Sequence, residues 1–275
     1  MQTPTVRRPA VAGRFYPAKP ETLTRQLDEL LAADREPSPR AEAPLGCIVP
    51  HAGYIYSGAV AGSVFTQLPV RATYIILCPN HTGRGAPLAI MSYGEWLTPL
   101  GSVHIDAEMA QRLRQACHLL MEDAKAHEDE HAIEVELPFL QRLAGTFTFV
   151  PIAIGVSRYA ALEALGQGIG QALKTSPGST LIVASSDMNH YEPDAITRVK
   201  DRKAIDKILS LDPAGLYEVI REEDISMCGY GPAVSMLAAA KALGASRAEL
   251  IRYATSADTN GDRSAVVGYA GIVVS

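Results

Sequence analysis

The chain has 275 residues, 47% of them hydrophobic and 20% charged, an ordinary globular composition with ample material for a large core. A formal net charge of -5 gives no electrostatic reason to expect nucleic acid or an anionic membrane surface as partner, which leaves a small molecule or a peptide. No window holds eighteen uncharged apolar residues, and Arg7 and Arg8 have no apolar stretch behind them, so the reading is a soluble, cytoplasmic protein. Cys47, Cys78, Cys117 and Cys228 show no C-x-x-C spacing, which excludes a zinc ribbon and argues against a disulfide framework.

After an arm ending in Gly13-Arg14-Phe15-Tyr16-Pro17, the stripe Leu23, Leu27, Leu30, Leu31 predicts a helix over Glu21–Ala33. The proline-rich stretch Asp34–Pro44 reads as a surface connector. Leu45–Val49 is an apolar run stopped by Pro50, so it reads as a buried strand with His51 just past its carboxyl end. Helical spacing over Ser57–Leu68 leads to a second such run, Tyr74–Cys78, which ends in Pro79-Asn80-His81. Strand, helix, strand is the unit that makes parallel neighbours, and it sets the class as α/β. Shorter strands follow at Pro87–Met91 and Thr98–Ile105, and Asp106 caps a helix facing Met109, Leu113, Ala116 and Cys117 inward. An acidic segment, Glu122–Glu136, precedes a strand at Thr148–Ile154 and a helix at Tyr159–Thr175. The strand Thr180–Ala184 ends in Ser185-Ser186-Asp187-Met188-Asn189-His190-Tyr191. Helices over Thr197–Leu209, Pro213–Arg221 and Ala233–Leu243 come next, and strands Glu249–Ala254 and Ala265–Val274 flank a polar loop, Ser256–Asp262.

In an open α/β sheet ligands bind outside the carboxyl ends of the strands. His51, His81 and His190 all stand at such ends, and Cys228 sits at the Gly-rich entry to a helix, where the helix N-terminus is expected to keep its thiol ionised. Two neutral imidazoles and one anion with open positions compose a mononuclear metal site, and with a thiolate copper(I), iron(II) or zinc would suit it. A strand-end histidine taken alone more often just hydrogen-bonds a turn; it is the recurrence that favours a ligand set. His127 and His131 are four apart but lack the His-Glu-x-x-His order of a zinc protease, and His127 is read as solvated. Ser185 and Ser186 with Asp187 and His190 lack a Gly-x-Ser-x-Gly elbow, so Asp187 is assigned to orienting a neighbour or a histidine.

Five ordered blocks carry a resemblance over nearly the whole chain: Pro50-His51-Ala52-Gly53-Tyr54, Pro79-Asn80-His81, Asp129 to Pro138, Ser185 to Tyr191, and Cys228-Gly229-Tyr230-Gly231-Pro232. They resemble the signature blocks of the Memo family, whose prokaryotic members are often called AmmeMemoRadiSam system protein B. The resemblance implies one domain over residues 1–275, a three-layer α/β/α sandwich around a mostly parallel, mixed sheet. That fold is similar to the catalytic subunits of class III extradiol dioxygenases, which cleave catechol rings with iron(II) held by two histidines and a glutamate. On this likeness His51 and His81 match the two histidine ligands, Cys228 takes the place of the glutamate, His190 matches a pocket acid or base, and His131 a further histidine near the site. The resemblance also implies a redox-linked metal protein, with iron(II) or copper(I) favoured and zinc the alternative, and a radical-SAM protein as partner. Two other functions fit the same cleft: a non-catalytic metal- or peptide-binding adaptor, and a zinc hydrolase.

Overall fold

The computed structural model describes residues 5–32, 43–174 and 180–275. The expected connector Asp34–Pro44 lies almost wholly outside them, as does Thr175 at the expected end of a helix. The first six strands are β1 (Val6–Arg7), β2 (Gly46–Val49), β3 (Thr73–Pro79), β4 (Leu88–Ile90), β5 (Glu95–Thr98) and β6 (Gly101–Ile105). The rest are β7 (Met121–Glu122), β8 (Thr148–Ile154), β9 (Thr180–Ser185), β10 (His190–Glu192), β11 (Ala248–Thr255) and β12 (Val266–Val274). The helices are α1 (Pro20–Ala32), α2 (Tyr54–Phe65), α3 (Ala107–Ala116), α4 (Lys125–Glu128) and α5 (Ala132–Ala144). They continue with α6 (Tyr159–Lys174), α7 (Asp194–Leu209), α8 (Pro213–Glu222), α9 (Tyr230–Ala242) and α10 (Ala257–Asn260).

Among the described residues the strands form one mixed sheet along the path β1-β5-β6-β8-β3-β9-β2-β12-β10, with β11 on β12 and β4 on β8. Its centre, β8, β3, β9 and β2, is parallel, and β12 runs antiparallel to β2. Strands covered on both faces read as unbroken apolar runs, and β3 shows why. Tyr74, Ile76 and Cys78 enter a core shared with Leu23 and Leu27 of α1 and Leu137 and Phe139 of α5. Ile75 and Leu77 enter the opposite core with Leu162 and Leu165 of α6 and Val234 and Leu237 of α9. The molecule is therefore an α/β/α sandwich with a hydrophobic core on each face of the sheet.

Several local expectations are corrected. The acidic segment turns into helix α5, which buries Glu134 and Glu136 and continues through Pro138. A stretch read only as an acidic segment is thus in part a buried helix, with Glu134 paired to Arg7 inside. Helices α7 and α9 begin three residues earlier than expected; Pro232 lies in the first turn of α9, where proline costs no internal bond. The polar loop after β11 contains the short helix α10.

The N-terminal arm is fastened by a buried ion pair. Glu134 takes the guanidinium of Arg7, the backbone N–H groups of Ala10 (2.7 Å) and Val11 (3.0 Å), and the hydroxyl of Tyr16 (2.6 Å). Arg7 also donates to the carbonyls of His127 (3.1 Å) and Glu130 (2.6 Å). Removing one member of a buried pair leaves an uncompensated charge, so Glu134→Ala is expected to cost about 3–5 kcal/mol. Urea unfolding would measure it, and a loss below about 1 kcal/mol would show the arm to be dispensable.

Candidate metal centre

The register of the central strands builds the site. β9 lies between β2 and β3, pairing Ser185 with Val49 and Ala184 with Leu77, so three carboxyl ends share one edge. The chain leaving those ends carries His51, Asp187 and His81 into the same space. The rings of His51 and His81 stand 5.2 Å apart. Cys228 comes from the segment entering α9, where the Gly229 N–H donates to Ser186 Oγ at 3.0 Å. A Cβ at position 229 would fall 2.3 Å from the carbonyl oxygen of Ser185 and 2.4 Å from Ser186 Cβ, so only glycine lets this segment approach.

One ligand atom from each of His51, His81 and Cys228 lies within 4.8 Å of the others, and Cys228 Sγ is 3.3 Å from His51 Nε2. Nδ1 of each imidazole is engaged elsewhere: His51 Nδ1 meets Ser185 Oγ at 2.8 Å, and His81 Nδ1 meets Glu130 Oε1 at 2.8 Å. Rings held in this way present Nε2 as the donor, which is how protein groups orient metal-binding histidines. Two imidazole nitrogens and one sulfur fit a transition metal of intermediate softness.

The remaining candidates surround this trio. Asp187 Oδ1 accepts the backbone N–H of His51 at 2.9 Å, so it fixes that loop. His131 stacks on His81 with ring centres 4.7 Å apart, and its Nδ1 lies 3.5 Å from Glu130 Oε1. His190 Nδ1 faces the carbonyl oxygen of Ser226 at 2.9 Å, and its ring lines the same cavity as Phe15, Tyr191 and Tyr269. That cavity holds about 570 Å³. His127 is elsewhere and is not solvated: it is buried, with its ring edge-on to Trp96 at 5.7 Å. Burial and the charge of Arg7 push its pKa down to about 4.

Electrostatics divide the histidines. Burial, reinforced by the neighbouring imidazoles, holds His51 well below the usual histidine range. Burial opposes charge on His81 and Glu130 as well, but their mutual hydrogen bond and attraction win, raising His81 and lowering Glu130. Burial lowers both His131 and His190. Cys228 departs from expectation. It stands one residue ahead of Gly229, the N-cap of α9, and burial together with Asp187 pushes its thiol well above the ordinary range. Without a bound cation the thiol keeps its proton. All four cysteines are free.

Sequence reasoning gives no role to Glu130 or Ser185. Glu130 directly precedes a histidine in an acidic block, which is a weak signal, and nothing near Ser185 in the chain points to His51.

The chain is an α/β/α sandwich that gathers two histidines from parallel strand ends and a cysteine from a helix entry into a group that could hold a metal ion. The chain belongs to the Memo family: the family model described as Memo-like protein matches residues 7–273. It is 44% identical to a MEMO1 family protein of Methanopyrus kandleri, covering 97% of this chain and 98% of that one. It is 45% identical to a MEMO1 family protein of Ignicoccus hospitalis, over 97% and 98% of the two chains. A solved structure of an uncharacterized protein from Escherichia coli K12 shares the fold with a TM-score of 0.54 at 12% identity, over 84% of this chain and 100% of that chain.

A buried network holds His190. Asp201 accepts from the Asn189 N–H (2.8 Å) and the Tyr253 hydroxyl (2.6 Å), and the Asn189 side-chain oxygen accepts from the N–H and hydroxyl of Ser226. Burial pushes Asp201 up to about 6 from an ordinary 3.8. The folded chain then binds this proton more tightly than the unfolded chain, so stability falls as pH rises through that window and levels off above it. Asp201→Asn is expected to abolish a loss of roughly 3 kcal/mol. Urea midpoints of the two proteins between pH 4 and 7 check this, and parallel curves would refute it.

Proposed function

We propose that this Memo-family chain is a metal-dependent redox protein in which His51, His81 and Cys228 hold one iron(II) or copper(I), with zinc as the alternative occupant. The observation that carries the reading is the convergence of three ligand atoms within 4.8 Å while both imidazole Nδ1 atoms are bonded to protein groups. Iron or copper bound there would supply one-electron chemistry, and zinc would supply Lewis acidity alone. His190 is the proton donor or acceptor, since an imidazole can exchange protons near neutral pH and its Nδ1 is anchored on Ser226. Asp187 keeps the His51 loop in place, and His131 braces the His81 ring. Among the described residues no lysine or arginine lines the cavity, so a substrate there meets no fixed cation. A thiolate carries the same charge as a carboxylate but is itself oxidisable, so cleavage of a catechol ring is not the reaction we assign.

A second reading, a non-catalytic module that holds a peptide in the same cleft, draws on Tyr191, a cavity-lining side chain that is 78% exposed.

Anaerobic purification followed by elemental analysis is expected to find about one iron or copper per chain, lost in His81→Ala and Cys228→Ala. His190→Ala is expected to keep the metal while turnover falls about 10²–10⁴-fold. Full metal content in both ligand variants would end the metal reading; unchanged turnover in His190→Ala would end the catalytic one and favour the binding module.

A further inference from the structure

Three carboxyl groups are buried along the start of α5, and two have cationic or proton-bearing partners that account for a negative charge. Glu130 has His81, and Glu134 has Arg7. Glu136 has neither. It is 0% exposed, its Oε1 accepts one bond from Ser185 Oγ at 2.9 Å, and its Oε2 meets no partner among the described residues. The nearby Tyr54 hydroxyl is turned away and donates to the Val135 carbonyl at 2.8 Å. A buried carboxylate with one hydrogen bond and no cation carries a desolvation cost of several kcal/mol, whereas the neutral acid avoids most of it.

We propose that Glu136 stays a neutral carboxylic acid and is a positioning residue that fixes His51 through Ser185. With the carboxyl proton placed on Oε2, the hydrogens run one way. Cys228 Sγ–H faces His51 Nε2 at 3.3 Å, His51 Nδ1–H donates to Ser185 Oγ at 2.8 Å, and Ser185 Oγ–H donates to the carbonyl oxygen of Glu136 at 2.9 Å. Glu136 thereby selects the tautomer of His51 that leaves Nε2 for a metal. Burial favours the neutral form most, Asp187 adds negative charge from the β9 end, and the nearby Tyr54 of α2 and Cys47 of β2 are uncharged. Only the bond from Ser185 opposes it.

This inference rests on the metal-centre reading for its affinity arm alone. In full-length, metal-free protein, ¹⁵N NMR is expected to report His51 protonated on Nδ1, and infrared difference spectra against Glu136→Gln to show the C=O stretch of a protonated carboxyl at neutral pH. In anaerobic cobalt(II) titrations, followed by ligand-field and thiolate charge-transfer absorption, Ser185→Ala and Glu136→Leu are each expected to weaken binding about 10–100-fold, while Glu136→Gln stays within about threefold of the parent chain. A tenfold loss in Glu136→Gln, or a missing protonated-carboxyl band, would show that the residue acts as an anion. Unchanged affinity in Ser185→Ala, or His51 protonated on Nε2, would remove the positioning role. Failure of the parent chain to bind cobalt would count against the metal reading and leave the spectroscopic arm to decide this one.

Discussion

The site depends on how the fold settles three buried carboxyl groups within two turns of one helix start. Each has left water, so each needs a partner or a proton, and each solution ties a different part of the chain to α5. Glu134 gathers the arm through Arg7, Ala10, Val11 and Tyr16. Glu130 takes the backbone and ring of His81, through bonds of 2.6 and 2.8 Å. Glu136 reaches His51 by way of Ser185. The two histidines of the candidate centre are therefore oriented from α5 and the residues just ahead of it, and the arm that lines the cavity is held there too. Phe15 of that arm packs on His131 with ring centres 4.9 Å apart.

The sheet supplies the second constraint. Parallel neighbours bring their carboxyl ends to one edge, and the pairing of β2, β9 and β3 keeps those ends level. The loops need only be short to meet. Proline ends β3, and Pro50 follows β2 directly, so each loop leaves the ladder at a fixed place and its histidine follows within two residues. Cys228 has no such strand behind it and relies on Gly229 fitting where any side chain would collide with Ser185.

These two constraints differ in how far the sequence reveals them. The strand ends were legible because apolar runs of β-branched residues stopping at proline have one simple reading, and the recurrence at Pro50-His51 and Pro79-Asn80-His81 pointed to a shared edge. Helix α5 was not, because its partners are distant in the chain: Arg7 lies 127 residues from Glu134, and Ser185 lies 49 from Glu136. Periodicity counts a glutamate as exposed, and only tertiary pairing overturns that. His127 illustrates the same error, since its acidic surroundings in sequence say nothing of Trp96 lying against its ring. The ionisation expected of Cys228 came from helix position alone, and burial beside Asp187 outweighs that field.

The cavity's charge follows from this arrangement. Among the described residues its lining offers imidazoles, one thiol and Asp187, with aromatic and aliphatic walls from Phe15, Tyr191, Val267 and Tyr269 and no fixed positive charge. A cation is drawn by Asp187 and then held by Cys228, whose thiol gives up its proton on binding it, whereas an anion finds a complementary charge only on a protonated histidine or on a bound metal ion. Burial disfavours protonation of His51, His131 and His190 alike. The one imidazole pulled the other way, His81, already has Glu130 against its Nδ1. An anionic ligand would therefore need the metal in place first, and a neutral aromatic ligand could use the walls without it.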